Sequence, residues 1–370
     1  MKILFSLGSL NRGGAETLLL DVLSNIISLG DDEIICLYRK SGVLEKEFIR
    51  TGVKLLKIEA GWSKLNYILK LRKIIKNEDI DVIHSHQPLD AFYSIISSVG
   101  LRTKKILTLH GSGLHQNFLT RIMYFFVFRL SDNILFVSKF QKKQFINKYP
   151  QIEQKVKVLN NGINFTKITD FKDKSIREEL NILDSTIIIS SVGNFIPGRE
   201  HLTLCKFANL LTSNSIDYKL LLVGKRVSEY KERFDKCVHY CEQHGIEDKV
   251  LFLGSRSDVP SILFQTDAFI YSSEHDTFGI AVVEAIASGI PVFVNDWEVM
   301  NEITEEGKLA VIYKTKDEND LLEKFMLFLQ QRDEYVRKAK ESAEIVREKY
   351  SIQKHIDNLK KVYSSLHYKK

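Results

Sequence analysis

Short apolar runs alternate with amphipathic stretches from one end of this 370-residue chain to the other. That alternation is the trace left by parallel βαβ units. In the first half it predicts strands at Lys2–Leu7, Asp32–Tyr38, Val53–Ile58, Val82–His84, Lys105–Leu109, Asn133–Val137 and Lys157–Leu159. Helices are predicted between them at Ala15–Ser28, Lys64–Lys76, Ala91–Ser98 and Phe118–Arg129. The pattern restarts at Ile187–Val192 and continues with Tyr218–Val223, Lys249–Leu253, Ala268–Tyr271, Val292–Val294 and Leu309–Ile312. Between the two series lies the turn-rich Asn160-Asn-Gly-Ile-Asn164. The expected fold class is therefore α/β: two doubly wound, Rossmann-like domains facing across a cleft, with ligands outside the carboxyl ends of the strands.

A chain of this length is expected to hold two cores of ordinary domain size. The four cysteines show no metal-type spacing, and Cys237 and Cys241 share a helix face, so reduced structural thiols are expected. The chain opens directly as a strand, and no apolar run reaches the roughly 18 residues that span a bilayer, which points to a cytoplasmic protein. Charge is uneven. Residues 1–165 carry 24 Lys and Arg against 14 Asp and Glu, whereas residues 166–370 carry 29 against 33. Clusters such as Lys70-Leu-Arg-Lys73, Arg102-Thr-Lys-Lys105 and Lys139-Phe-Gln-Lys-Lys143 lie in the basic half. They suit peripheral contact with an anionic membrane, or equally plain solvated helix faces. No nucleic-acid-binding signature accompanies them.

The most informative window is Asp276-Thr-Phe-Gly-Ile-Ala-Val-Val-Glu284, set between the strand ending at Tyr271 and the strand beginning near Val292. It predicts a strand-to-helix junction where Phe278, Gly279 and Ile280 present unpaired amides at a helix N-terminus. Unpaired amides and the helix dipole both favour an anion. Two carboxylates beside an anion site fit sugar hydroxyls, and a nucleotide sugar supplies hydroxyls and diphosphate together. Other strand ends add candidates. Asn11-Arg-Gly-Gly-Ala-Glu16 follows the first strand and brings Gly13 and Gly14, which let a backbone approach a ligand closely or simply form a tight turn. Thr108-Leu-His-Gly111 places His110 at the end of the fifth strand. Val192-Gly-Asn-Phe-Ile-Pro-Gly-Arg-Glu-His201 ends the first strand of the second series. His84 and His86 lack a third metal ligand at usable spacing, and Asp79-Ile-Asp81 precedes a strand and so sits at the wrong end of the sheet. No metal is expected.

Taken in order, these segments resemble family 4 retaining glycosyltransferases, which have the GT-B fold. The resemblance implies that Asp276 faces the donor hexose, where the family usually has Glu, and that Glu284 binds the ribose. It places Gly13 and Gly14 by donor phosphate and acceptor, His110 by the hexose, and the amides after Phe278 against sugar and phosphate. The family's paired phosphate-binding cations fall on Asn194 and Arg199, so one cation is missing, with Lys225 or Arg226 as its replacement. Arg256 and Val259-Pro-Ser-Ile-Leu263 match the segment flanking the nucleotide base. The implied domains are 1–164, acceptor-side, with a terminal helix near 351–370 packing back on it, and 165–350, which binds the nucleotide sugar. The implied activity is hexosyl transfer from a nucleotide diphosphate sugar, UDP- or GDP-linked, to a sugar or lipid-linked oligosaccharide acceptor in capsule, exopolysaccharide or lipopolysaccharide synthesis, without cofactor. A nucleotide-sugar epimerase on the same fold and a non-catalytic nucleotide-sugar-binding protein remain as alternatives.

Overall fold

The computed structural model describes residues 1–26, 32–59, 63–111, 117–166 and 175–367. Residues 27–28 of the expected first helix and 368–370 of the last lie outside them. The chain divides into two units, Met1–Ile163 with Ile352–Lys370, and Asn164–Ser351.

In the first unit the strands are β1 (Lys2–Ser9), β2 (Glu33–Lys40), β3 (Lys54–Lys57), β4 (Val82–Ser85), β5 (Lys104–Leu109), β6 (Asn133–Phe136) and β7 (Val156–Val158). They pair in parallel in the order β3-β2-β1-β4-β5-β6-β7. The helices are α1 (Gly14–Ile26), α2 (Glu45–Arg50), α3 (Lys64–Asn77), α4 (Pro88–Ser97), α5 (Phe118–Leu130) and α6 (Lys139–Lys148). A parallel sheet is covered on both faces, so its strands read as continuous apolar runs. Residues Ile3, Leu4, Phe5 and Leu7 of β1 are accordingly all buried. Helices α1 and α2 cover one face of the sheet; α3 to α6 cover the other, α5 through Tyr124, Val127 and Phe128.

In the second unit β8 (Ile187–Val192), β9 (Tyr218–Val223), β10 (Val250–Gly254), β11 (Ala268–Tyr271), β12 (Val292–Asn295) and β13 (Val311–Tyr313) form a parallel sheet ordered β10-β9-β8-β11-β12-β13. Its helices are α7 (Ile176–Glu179), α8 (His201–Ser213), α9 (Lys231–Gln243), α10 (Val259–Phe264), α11 (Ile280–Ala287), α12 (Glu298–Ile303), α13 (Glu318–Gln330) and α14 (Arg332–Tyr350). Strand β13 starts two residues later than the apolar run suggests. The Leu309 amide is spent on Thr304 O (2.9 Å) at a turn through Gly307, so it cannot enter the ladder. The free thiols Cys205, Cys237 and Cys241 are buried together in this core.

The last helix, α15 (Ile352–His367), belongs to the first unit. Its Ile356, Leu359, Val362 and Tyr363 enter the core around α1 and β1. Ile352 N donates to Ile163 O at 2.9 Å, and Gly162 lies so close that a Cβ there would stand 2.5 Å from that of His355.

Candidate active site

Two loops at the carboxyl ends of β8 and β11 build the centre of the second unit. After β8 the chain turns through Asn194–Pro197 and comes back as Gly198–Glu200, lying antiparallel to Ser272–Glu274. Glu274 N donates to Gly198 O (2.8 Å) and Glu200 N to Ser272 O (3.1 Å). This zip requires a glycine: Gly198 has φ +83°, and a Cβ there would fall 2.2 Å from that of His275. Gly198→Ala should therefore cost at least the ~1–2 kcal/mol of a left-handed backbone, with the His275 clash added. A urea midpoint equal to wild type would contradict the requirement.

The zip delivers Arg199 to Asp276. Arg199 Nη2 donates to Asp276 Oδ1 at 2.9 Å, and the guanidinium lies 4.5 Å over the Tyr271 ring. The Tyr271 hydroxyl donates to Asp276 Oδ2 at 2.6 Å, and Trp297 Nε1 donates to the Asp276 carbonyl at 3.2 Å. Arg199 and Asp276 side chains are only 17 and 16 % exposed. Burial pushes the guanidinium pKa down and Asp276 opposes this; an arginine stays charged throughout. Arg199 Nη1 is buried and has no acceptor among the described residues. The sequence alone assigns Arg199 to diphosphate and Asp276 to hexose as separate ligands. In the structure they are partners, and each Asp276 oxygen accepts one hydrogen bond, from Arg199 or from Tyr271, which leaves lone pairs on both oxygens for a further donor.

Three residues beyond Asp276, Gly279 (φ +79°) opens α11 without a side-chain cap. The amides of Phe278, Gly279 and Ile280 make no hydrogen bond among the described residues. The Phe278 side chain is buried edge-on against Tyr350 (centroids 5.5 Å apart), so it anchors the loop while its backbone stays available. Glu284 is half-buried on the second turn of the same helix.

The remaining donor-side candidates have other work. Asn194 Oδ1 accepts the Lys225 amide at 2.9 Å, which ties the ends of β8 and β9 together. The Lys225 side chain itself is exposed. Arg226 pairs with Asp235 (2.8 Å) and lies over Phe234. Arg256 is clasped by Glu179 and Asp258, both at 2.6 Å, and the two carboxylates hold its pKa up. It is an internal tie, with its charge already matched.

Sequence reasoning missed the residues that hold the loops. The buried Asn295 bonds both Ser273 N (2.8 Å) and Ser273 O (3.0 Å), and also reaches Thr315. The Tyr313 hydroxyl donates to Tyr271 O at 2.9 Å. Each lies at the end of an apolar strand, and a polar group there was the signal available.

In the first unit, Gly13 O accepts the Thr17 amide as α1 begins at Gly14, and a Cβ at Gly13 would meet Glu16 Oε2 at 2.5 Å. The neighbouring ends of β4 and β5 bring three histidines together, and α15 adds His355. His84, His86 and His110 stack with centroids 4.6 and 5.3 Å apart, and His86 Nδ1 meets His110 Nε2 at 3.0 Å. His84 bonds Tyr363 and Thr108, both at 2.7 Å, and His355 bonds Asn160 O at 2.7 Å. Burial pushes His84 down to about 3, His110 and His355 down to about 4, and His86 well below its ordinary value. His110 is thus neutral and shares one nitrogen with His86. No group of three His, Cys, Asp or Glu that could hold a metal occurs among the described residues.

The model of "Glycosyltransferase Family 4" matches residues 12–167, and that of "Glycosyl transferases group 1" matches residues 172–346. The chain is 23 % identical to the N-acetyl-alpha-D-glucosaminyl L-malate synthase of Bacillus anthracis, over 80 % of this chain and 77 % of that protein. It is 22 % identical to the capsular polysaccharide biosynthesis glycosyltransferase CapH of Staphylococcus aureus, over 77 % of this chain and 78 % of CapH. Its fold matches Anabaena Alr3699/HepE, solved with UDP and glucose, with TM-score 0.86 at 18 % identity over 99 % of this chain and 100 % of that one. Two parallel Rossmann-like sheets and two adjoining family matches lead to one assignment: the chain belongs to the family 4, group 1 glycosyltransferases and has their GT-B fold.

Proposed function

We propose that the protein is a retaining hexosyltransferase that takes its sugar from a nucleotide diphosphate sugar, UDP- or GDP-linked. The acceptor is a hydroxyl of a sugar or lipid-linked oligosaccharide in surface-polysaccharide synthesis. One observation carries the donor assignment: Arg199 offers a buried N–H unpartnered among the described residues and is bonded to Asp276, two residues before the uncapped amides that open α11. Leaving a buried donor unmet costs about 1–3 kcal/mol, and a diphosphate would meet it. Relatives point the same way, since HepE was solved with UDP-glucose and CapH is named for capsule synthesis.

In this reaction the bond from the sugar anomeric carbon to the diphosphate oxygen breaks, and the acceptor oxygen bonds that carbon on the same face. The acceptor proton passes to the departing diphosphate. Arg199 and the α11 amides stabilise the charge that builds on the leaving group, as a preorganised clamp with no divalent cation. His110, kept neutral by burial, hydrogen-bonds a sugar hydroxyl and need not act as a general base. Gly13 and Gly14 leave room for phosphate or acceptor.

Glu284 holds the donor ribose in this reading. Glu284→Gln should weaken donor binding by ~1.5–3 kcal/mol, the scale of a charged hydrogen bond. Calorimetric titration with UDP- and GDP-sugars tests this, and an unchanged affinity for both would remove Glu284 from the site. Excess chelator should leave turnover unaltered.

A further inference from the structure

Helix α5 is apolar on the face it buries and also on the face it turns outward. Tyr124, Val127 and Phe128 enter the core, whereas Phe118, Leu119, Ile122, Phe125, Phe126 and Leu130 point away from it. Their spacing is that of one helical stripe. Phe118 and Leu119 are 73 and 75 % exposed, and the others lie between 40 and 49 %. Single exposed apolar residues are ordinary, but six large ones on one helix face mark a surface that meets something.

Charge decides what that is. Helix α5 has no acidic residue and carries two exposed arginines, Arg121 at the edge of the stripe and Arg129 within it at the carboxyl end of the helix. Between Asn117 and Val158 there are eight Lys and Arg against two Asp and Glu. One of those acids, Asp132, already pairs with Lys104 and Lys105. The adjoining α6 joins α5 in one core through Phe128 and Phe145, and its Lys139, Lys142 and Lys143 line a groove with Lys157. Two copies of this helix packed together would bring arginine against arginine with no acid on either helix to match them. An anionic bilayer satisfies both features, since hydrocarbon takes the aromatic stripe and headgroups take the flanking cations.

We infer that α5 is an in-plane membrane anchor, with Phe118, Leu119, Ile122, Phe125, Phe126 and Leu130 inserted among the acyl chains of an anionic leaflet. Sequence charge alone suggested electrostatic contact. The exposed stripe adds insertion, and insertion has a different salt response: headgroup attraction is screened, whereas buried apolar surface is not. The inference is independent of the donor, because binding is read with no nucleotide sugar present.

The test is vesicle co-sedimentation of the full chain and of the Phe125→Ser/Phe126→Ser variant. Both side chains are outward, so the variant should keep the wild-type melting temperature. Wild type should partition onto phosphatidylglycerol-containing vesicles, far more weakly onto pure phosphatidylcholine, and should retain a measurable bound fraction at high salt. The variant's partition coefficient should fall by about tenfold or more, in keeping with the loss of two inserted phenyl rings. Equal binding to neutral and anionic vesicles would overturn the anionic leaflet as the partner. Equal binding by variant and wild type, or complete release by salt, would overturn insertion. So would a wild-type dimer in sedimentation that the double substitution dissociates, since the stripe would then be an interface between copies.

Discussion

Replacing Arg199 by Ala should lower kcat by about 100- to 1,000-fold, the usual consequence of removing one preorganised donor from a developing negative charge. The loss has two parts. The clamp loses its buried cation, and Asp276 is left as a carboxylate with Tyr271 alone for company, so it repels the diphosphate that Arg199 had attracted. These parts separate experimentally. Arg199→Ala/Asp276→Asn removes the repulsion and should recover part of the donor affinity without recovering kcat. Arg199→Lys keeps the charge but gives up the planar fork that bonds Asp276 through Nη2 and leaves Nη1 for a ligand, so it should fall between the two. Donor titrations and single-turnover rates on all three variants check the scheme. Turnover near wild type in Arg199→Ala would move the clamp elsewhere, and Lys225 would be tested next.

Acidification should unfold the first unit ahead of the second. His84, His86, His110 and His355 are held neutral by burial in the first unit, whereas His201 is the one histidine of the second unit shifted in the same way. Their folded pKa values lie below the unfolded value of about 6.5. Above that value neither state is protonated and stability is complete. As pH falls below it, the unfolded chain takes up protons that the folded unit refuses, and stability drains away until each folded pKa is reached, about 4 for His110 and His355 and about 3 for His84. Each histidine that stays neutral contributes a slope of about 1.4 kcal/mol per pH unit within that window. Urea unfolding between pH 7 and 4.5, followed by hydrogen exchange in β1, β4 and α15, reads this directly. A urea midpoint that does not move across the window would show that the stack accepts protons while folded.

Both sheets and the strand-to-helix junction at Asp276–Glu284 were legible because their signals are local: apolar runs, glycines at turns, and carboxylates at fixed spacing. Helix ends and strand starts shifted by up to three residues, as at Leu309, where one hydrogen bond decided the matter, and at the start of α4. What escaped was pairing between distant segments. Arg199 and Asp276 are 77 positions apart, and only the Gly198–His275 zip makes them neighbours. Asn295 looks like a strand end until Ser273 is laid against it. Arg256 reads as a free cation until Glu179 is brought beside it. The outward stripe of α5 was hidden for another reason. Its inward residues share the same helical period, so periodicity reports a helix but not which apolar face is covered.

The discontinuous make-up of the first unit bears on how the protein is made. Its core needs Ile356, Leu359 and Tyr363, near the end of the chain. During synthesis the second unit is complete while these residues are still to be translated, so the earlier-translated half waits for closure with β1 and β2 unpaired from α15. A premature stop before Ile352 would leave the second unit intact and the first with an open apolar seam, a substrate for chaperones and proteases.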